Sequence, residues 1–286
     1  MHLRNCATLA LVLLLAQSPG AVRQQDGAFD SAALSRRMSY RVLLPAGYGA
    51  DGATHPVLYL LHGLDGRFTD WSERTALAQH LAGRNLIVVM PDGANSWYVN
   101  WHEGASERWE DYLVRDLVQE IEARFAAAPR RDARFIAGLS MGGYGALRMG
   151  LKYPDRYAAA ASLSGALEIT RLESYGWTDG LRAEFTKAFG PAGSARRAAD
   201  DVFALAKGAK PEGLPFFYVE CGAADPFLAG NRELAAIFQE GKIPYEYRES
   251  PGAHTWIYWN RQISNVLDLV SKAPQARGLR ARSWRN

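Results

Sequence analysis

Three side chains in this sequence have the types and settings that acyl transfer needs: a hydroxyl that can attack, an imidazole that can take its proton, and a carboxylate that can steady the imidazole. The hydroxyl is Ser140, in Gly138-Leu139-Ser140-Met141-Gly142, a GxSxG pentapeptide. Ala133 to Ala137 before it is short and apolar. Met141 to Tyr153 after it carries Gly and Ala on one face and Leu147 and Leu151 on another. Strand, sharp turn and helix in that order make a nucleophile elbow. The turn presses the residues two before and two after the serine together, so a side chain at Gly138 or Gly142 would collide, and the serine backbone is strained. The following helix aims unpaired N–H groups and the positive end of its dipole at the space over Ser140, where an oxyanion would form.

A serine hydroxyl is a weak nucleophile without a base, and the base needs an acid to hold its tautomer and balance its charge. Asp225 follows the apolar run Phe216 to Cys221, in Cys221-Gly222-Ala223-Ala224-Asp225-Pro226-Phe227, just ahead of a helical pattern. Asp201, Glu220 and Glu249 compete with it, but they fall in an insertion, within a strand and one strand later, respectively. His254 lies between an alternating last strand, Tyr245 to Arg248, and the final helix, with Gly252 and Ala253 beside it. His55, His80 and His102 have no comparable context. A tetrahedral oxyanion also needs two donors. The residue after the nucleophile supplies one, the backbone N–H of Met141, and the glycine-bracketed loop His62-Gly63-Leu64-Asp65-Gly66 supplies the other, the N–H of Leu64. His62 is expected to pack under that loop. No His, Cys or carboxylate cluster has metal-ligand spacing, and no cofactor is expected.

Two further stretches bear on the substrate. Pro91-Asp92-Gly93-Ala94-Asn95-Ser96-Trp97-Tyr98-Val99-Asn100-Trp101 sets three aromatics among turn residues, so Trp97, Tyr98 and Trp101 are expected to line the substrate pocket. Trp109 and Tyr112 sit in a helical pattern and read as core. After Leu163-Ser164-Gly165, roughly fifty residues (about 166–213) pass before the next strand, too many for a simple crossover. They include Tyr175-Gly176-Trp177 and a helical piece from Leu181 to Phe189, and are expected to form a cap over the site.

The elements that must position these groups read as an α/β fold. Pro56 to Leu61, Leu86 to Met90, Phe135 to Ala137, Ala158 to Leu163 and Phe216 to Cys221 are unbroken apolar runs, as in strands covered on both faces. Ser39 to Pro45 alternates and is expected as an antiparallel edge strand. Helical patterns at Arg74 to Ala82, Glu107 to Phe125, Met141 to Tyr153, Arg232 to Glu240 and Trp256 to Ser271 separate the runs. Such alternation implies βαβ crossovers in a mostly parallel, doubly wound sheet with helices on both faces. Function then collects at the C-terminal ends of the strands.

The chain has 286 residues, 48% of them hydrophobic, enough for one large core without a dividing linker. Residues 1–20 read as a signal peptide: Arg4 is its positive region, and Ala7 to Ala16 is an apolar stretch too short to span a bilayer. An N-terminal extension is expected at 21–38, the folded domain at 39–272 and a flexible basic tail at 273–286. Export to a secreted or periplasmic location follows, and Cys221 is then left as a lone cysteine, expected to be a small buried hydrophobe. The net charge of +3 comes from the ends. Of 33 Lys and Arg, Arg4, Arg277, Arg280, Arg282 and Arg285 lie there, leaving 28 against 30 acids in the body. That balance leaves no nucleic-acid footprint.

With these residues in place, the chain resembles the esterase D family of α/β-hydrolases, which includes bacterial feruloyl esterases, S-formylglutathione hydrolases and mycolyltransferases. The resemblance runs from about Tyr40 to Val270 and rests on HGLDG, PDGANSWY, GLSMGGYGAL, CGAADPF and PGAHTWIYW. It implies the α/β-hydrolase fold, Ser140, Asp225 and His254 as the triad, and Leu64 with Met141 as the oxyanion hole. Leu139 and Tyr144 stand where the glutathione thioester hydrolases commonly carry histidine, which turns the expectation toward an exported carboxylesterase acting on aryl or carbohydrate esters. The alternatives are transfer of an acyl group to a sugar or alcohol, as in the mycolyltransferases, or a thioesterase. A carbohydrate-binding protein on a hydrolase scaffold would usually lack part of the triad.

Overall fold

The structure, a computed structural model, describes residues 21–50, 52–172 and 178–272. The expected signal peptide, the basic tail and Tyr175-Gly176-Trp177 lie outside those residues. In chain order the strands are β1 (Arg23–Ser31), β2 (Arg36–Leu44), β3 (Val57–Leu61), β4 (Ile87–Pro91), β5 (Arg134–Leu139), β6 (Ala159–Leu163), β7 (Phe216–Gly222) and β8 (Tyr245–Ser250). They form one sheet in the order β1-β2-β4-β3-β5-β6-β7-β8. β2 runs antiparallel to both β1 and β4, and every other pairing is parallel.

The helices are α1 (Asp70–Arg74), α2 (Leu77–Leu81), α3 (Trp109–Asp111), which continues through a π-helical turn at Tyr112–Asp116 into α4 (Leu117–Arg124), α5 (Met141–Lys152), α6 (Asp179–Phe189), α7 (Ala195–Ala199), α8 (Val202–Gly208), α9 (Leu228–Glu240) and α10 (Trp256–Lys272). Strand periodicity divides the core between the two faces of the sheet. Val57, Tyr59 and Leu61 of β3 join one layer with α4, α5, α8 and α9. Leu58 and Leu60 join the other, with α2 and α10. The unbroken apolar runs follow from this, because each side chain of β3 and β4 meets a helix layer. Burying one such aliphatic side chain contributes about 1.5–3 kcal/mol.

Two expectations change. The Ser39 to Pro45 segment is not an edge: β2 is paired on both sides, with Tyr40 opposite Gly27 of β1 and Pro91 of β4. The edge is β1, in the stretch expected as an extension, so the folded domain starts near Arg23 and not at 39. Its sequence RQQDGAFDS is mostly exposed, and a polar edge strand carries little apolar alternation to announce it. The single helix expected over Arg74 to Ala82 is two short ones. Thr75, extended at φ −136°, separates them, and its hydroxyl accepts from the Leu77 N–H at 3.2 Å.

The strand order places the site. From β3 the chain steps to β4 on one side and then returns to β5 on the other, so loops diverge at the C-terminal ends of β3 and β5, where open α/β sheets leave a crevice. Leu61 of β3 pairs with Gly138 of β5, which sets the His62–Gly66 loop beside the elbow.

The stretch between β6 and β7 carries α6, α7 and α8. Phe185 and Phe189 of α6 pack edge to face on Trp97, at centroid distances of 5.3 and 5.8 Å. The His102 and Glu103 N–H groups donate to the Ala188 and Lys187 carbonyls, at 2.9 and 3.0 Å. A buried charge cluster fastens the same stretch to α5. Arg148, with no exposed surface, donates through Nη2 to Glu110 Oε2 at 2.5 Å and through Nε to Asp200 Oδ1 at 2.9 Å. Lys152 Nζ adds a contact to Glu110 Oε1 at 2.8 Å.

Candidate active site

Ser140 joins β5 to α5 with φ 53° and ψ −117°, a conformation uncommon for a residue with a side chain. Its neighbours explain how the turn closes. A Cβ on Gly138 would lie 2.4 Å from the Gly142 carbonyl carbon, and one on Gly142 would lie 2.5 Å from the His62 carbonyl oxygen. The Ser140 N–H donates to the Leu163 carbonyl at 3.0 Å, and the Ser140 carbonyl accepts from the Tyr144 and Ala166 N–H groups at 3.0 and 3.1 Å. The backbone is held on three sides, and the side chain faces outward. The Met141 N–H opens α5 and has no carbonyl four residues back within the helix, so it is available to a bound group.

His254 and Asp225 complete the constellation. His254 Nε2 lies 3.0 Å from Ser140 Oγ, and its Nδ1 lies 2.9 Å from Asp225 Oδ2. Asp225 has a fully buried side chain, whereas that of His254 is 25% exposed. An ionised carboxylate only accepts, so Nδ1 carries the proton and Nε2 presents its lone pair to the serine hydroxyl. The other Asp225 oxygen, Oδ1, accepts from the Phe227 N–H at 2.9 Å. The two loops are tied by main chain: the Ala223 N–H donates to Ser250 O at 2.9 Å and the Ala224 N–H to Gly252 O at 2.8 Å. They approach so closely that a Cβ on Gly222 would fall 2.5 Å from the Gly252 oxygen.

The competing acids are engaged elsewhere. Asp201 caps α8, accepting from the Phe203 N–H at 2.8 Å. Glu220 is buried and accepts from Ser250 Oγ at 3.0 Å and Asn265 Nδ2 at 3.2 Å. Glu249 pairs with Arg232 at 2.6 and 2.7 Å on the surface. Burial and the neighbouring Asp225 charge push the Cys221 thiol well above its ordinary range, in keeping with a buried, unreactive cysteine.

On the opposite side of Ser140, the His62–Gly66 loop lies against the elbow. A Cβ on Gly63 would sit 2.7 Å from Leu139 Cδ1 and 3.4 Å from Ser140 Cβ. His62 is buried beneath, as expected: Nδ1 donates to Gly63 O at 2.7 Å and Nε2 accepts from the Gly93 N–H at 2.9 Å. The turn itself is closed by the Gly66 N–H donating to Gly63 O at 3.1 Å. The Asp65 N–H is taken by Asn95, whereas the N–H of half-buried Leu64 has no part in the bonds that hold the loop.

The expected aromatic lining is corrected. Tyr98 has no exposed surface: its hydroxyl donates to His62 O at 3.1 Å, and its ring packs on Gly145. Trp97 is 3% exposed, enclosed by Tyr144, Phe185 and Phe189. Both residues have positive φ, 57° and 56°, and the turn sends their rings into the core. Trp101 alone of the three keeps some exposure, with Nε1 donating to Ser96 O at 3.2 Å.

Other residues not singled out from the sequence do touch the site. Phe227 and Trp259 flank the His254 ring edge to face at 5.0 and 4.9 Å, and Trp259 Nε1 donates to Ser164 Oγ at 3.1 Å. The nearest signal was the aromatic character of CGAADPF and PGAHTWIYW, which does not say which ring meets the imidazole.

A hydroxyl, imidazole and carboxylate in line can carry out acyl transfer. No helix among the described residues is long and apolar enough to cross a membrane. Residues 31–268 match the family model named Esterase. The chain is 32% identical over 228 residues to the acetyl esterase of Caldicellulosiruptor saccharolyticus, covering 78% of this chain and 85% of that protein. It is also 32% identical over 257 residues to esterase Rv1288 of Mycobacterium tuberculosis, covering 80% of this chain but only 55%, about half, of the relative. Among solved structures, the Staphylococcus aureus fluorophosphonate-binding serine hydrolase FphF with substrate bound superposes with a TM-score of 0.79 at 25% identity, covering 88% of this chain and 99% of that one. Sequence match, sheet order and the arrangement of His254 and Asp225 around Ser140 therefore agree that the chain belongs to the Esterase family, as a serine ester hydrolase on the α/β-hydrolase fold.

Proposed function

We propose that the chain is an exported carboxylesterase that cleaves small aryl or carbohydrate-linked esters through an acyl-enzyme on Ser140. The observation that carries this reading is the pair of hydrogen bonds, 3.0 and 2.9 Å, running from Ser140 through His254 to Asp225. As Ser140 Oγ attacks the ester carbonyl, His254 Nε2 takes its proton and Asp225 balances the imidazolium. The Leu64 and Met141 N–H groups hold the oxyanion, and losing one such donor typically costs about 3 kcal/mol. His254 then gives its proton to the leaving alcohol, and water, activated by the same imidazole, releases the acid. The stretch between β6 and β7 serves as the cap and, with half-exposed Trp101, selects the substrate. Similarity to an acetyl esterase supports a short acyl group.

Ser140→Ala is expected to abolish p-nitrophenyl acetate hydrolysis and fluorophosphonate labelling while the thermal midpoint stays close to that of the parent. Retained turnover overturns the reading. An ester library with added glycerol or sugar separates hydrolysis from acyl transfer by product, and the mass of the mature N-terminus tests export.

A further inference from the structure

We propose that Asn95 is a positioning residue that clamps the oxyanion loop, and that it does so by exchanging hydrogen bonds with Asp65. This rests on the assignment of the Leu64 N–H as an oxyanion donor. The Asp65 N–H donates to Asn95 Oδ1 at 2.7 Å, and Asn95 Nδ2 donates back to Asp65 Oδ1 at 2.9 Å. Asn95 Nδ2 also reaches Glu184 Oε2 of α6, at 3.3 Å. One side-chain amide therefore joins the loop after β3, the loop after β4 and the inserted helix.

The geometry of the turn shows why a clamp is needed. Gly63, Leu64, Asp65 and Gly66 form a tight turn, with the Gly66 N–H on Gly63 O at 3.1 Å, and its third residue has φ 56°. Positive φ at that position belongs to the type II form, usually built with glycine; a type I turn would turn the central peptide over and put Asp65 at negative φ. Asp65 holds the less favourable form against a cost on the order of 1 kcal/mol. The exchange with Asn95 uses the Asp65 N–H in the orientation that form gives it, so it opposes the flip. Leu64, the second residue of the turn, sits between Gly63, where a Cβ would lie 3.4 Å from Ser140 Cβ, and the clamped Asp65, so the clamp fixes the residue that carries the donor N–H.

The test reads kcat per active site, counted by the end point of fluorophosphonate labelling, together with KM and the thermal midpoint. Asn95→Ala and Asn95→Asp are each expected to lower kcat on p-nitrophenyl acetate by about 30-fold, less than the about 10²–10³-fold lost with a whole oxyanion donor, and to leave KM within about 3-fold. In the swapped pair Asp65→Asn with Asn95→Asp, the carboxylate again accepts from the residue 65 N–H and from the new amide. Asparagine also tolerates positive φ, so kcat is expected to return to within about 3-fold of the parent. The proposal is overturned if kcat per titrated site stays near the parent in both single variants while only the thermal midpoint falls, or if the folded swap variant fails to recover kcat. Active Ser140→Ala would sink the hydrolase reading itself. Inactive Ser140→Ala with undiminished Asn95 variants would sink only this inference.

Discussion

Two buried polar clusters among the described residues differ in what surrounds them. In the first, Asp225 is buried while His254 is a quarter exposed, with one imidazole nitrogen on the acid and the other facing Ser140. In the second, Arg148, Glu110 and Asp200 are all at least 95% buried, and their hydrogen bonds run to one another and to protein neighbours. An arrangement that leaves a lone pair facing the mouth of the site can move a proton. One whose groups are enclosed by protein partners can hold α3, α5 and the segment before α8 in fixed relation. Charge and burial alone do not mark a reactive site; the open valence does.

The largest effect that breaks the comparison comes from the first cluster. Asp225→Asn preserves shape but lets Nδ1 accept, stabilising the wrong tautomer, and kcat is expected to fall by about 10⁴-fold. The thermal midpoint should hardly move. Steady-state kinetics beside a melting curve checks both.

Arg148→Met should do the reverse. Removing the cation leaves buried Glu110 with Lys152 and buried Asp200 with Arg196 as their remaining cations, so the loss approaches, from below, the about 3–5 kcal/mol of a buried pair broken outright. Urea unfolding measures that loss, and kcat per titrated site should remain near the parent as long as the protein is folded.

The smallest effect sharpens the contrast through pH. Burial by itself would raise the Glu110 carboxyl, but the charge of Arg148 and the hydrogen bonds of Lys152, Tyr153 and Arg148 prevail and hold it down, at about 2. A depressed acid contributes stability above its unfolded value, near 4.5, and loses it as the pH falls toward about 2. The contribution lost is about 3 kcal/mol. Urea midpoints measured from pH 6 to pH 3 should fall accordingly, and the acid slope should be shallower in Arg148→Met.

Much of the first cluster was legible in the residues, and almost none of the second. Ser140 announced itself because its turn demands glycine at 138 and 142, and the close contacts there are the collisions that the pentapeptide implied. Asp225 and His254 were readable because each follows a strand-like run and precedes a helix. Arg148 and Glu110 fall in helical patterns and Asp200 in the insertion, and nothing local shows that three elements will meet. Trp97 and Tyr98 misled for a related reason: aromatics in a turn can face either way, and here positive φ turns both inward. The polar β1 carried no alternation that would place it in the sheet.

By itself the sequence determined what backbone sterics and side-chain chemistry encode locally: the elbow, the alternation of strands and helices, and the candidates for nucleophile, base and acid. Only the tertiary structure decided which acid meets the imidazole through a free oxygen, which aromatics reach solvent, and that Asn95 meets Asp65. Those outcomes depend on contacts between segments far apart in the chain, and the energy of such a contact belongs to the packed pair and not to either residue alone.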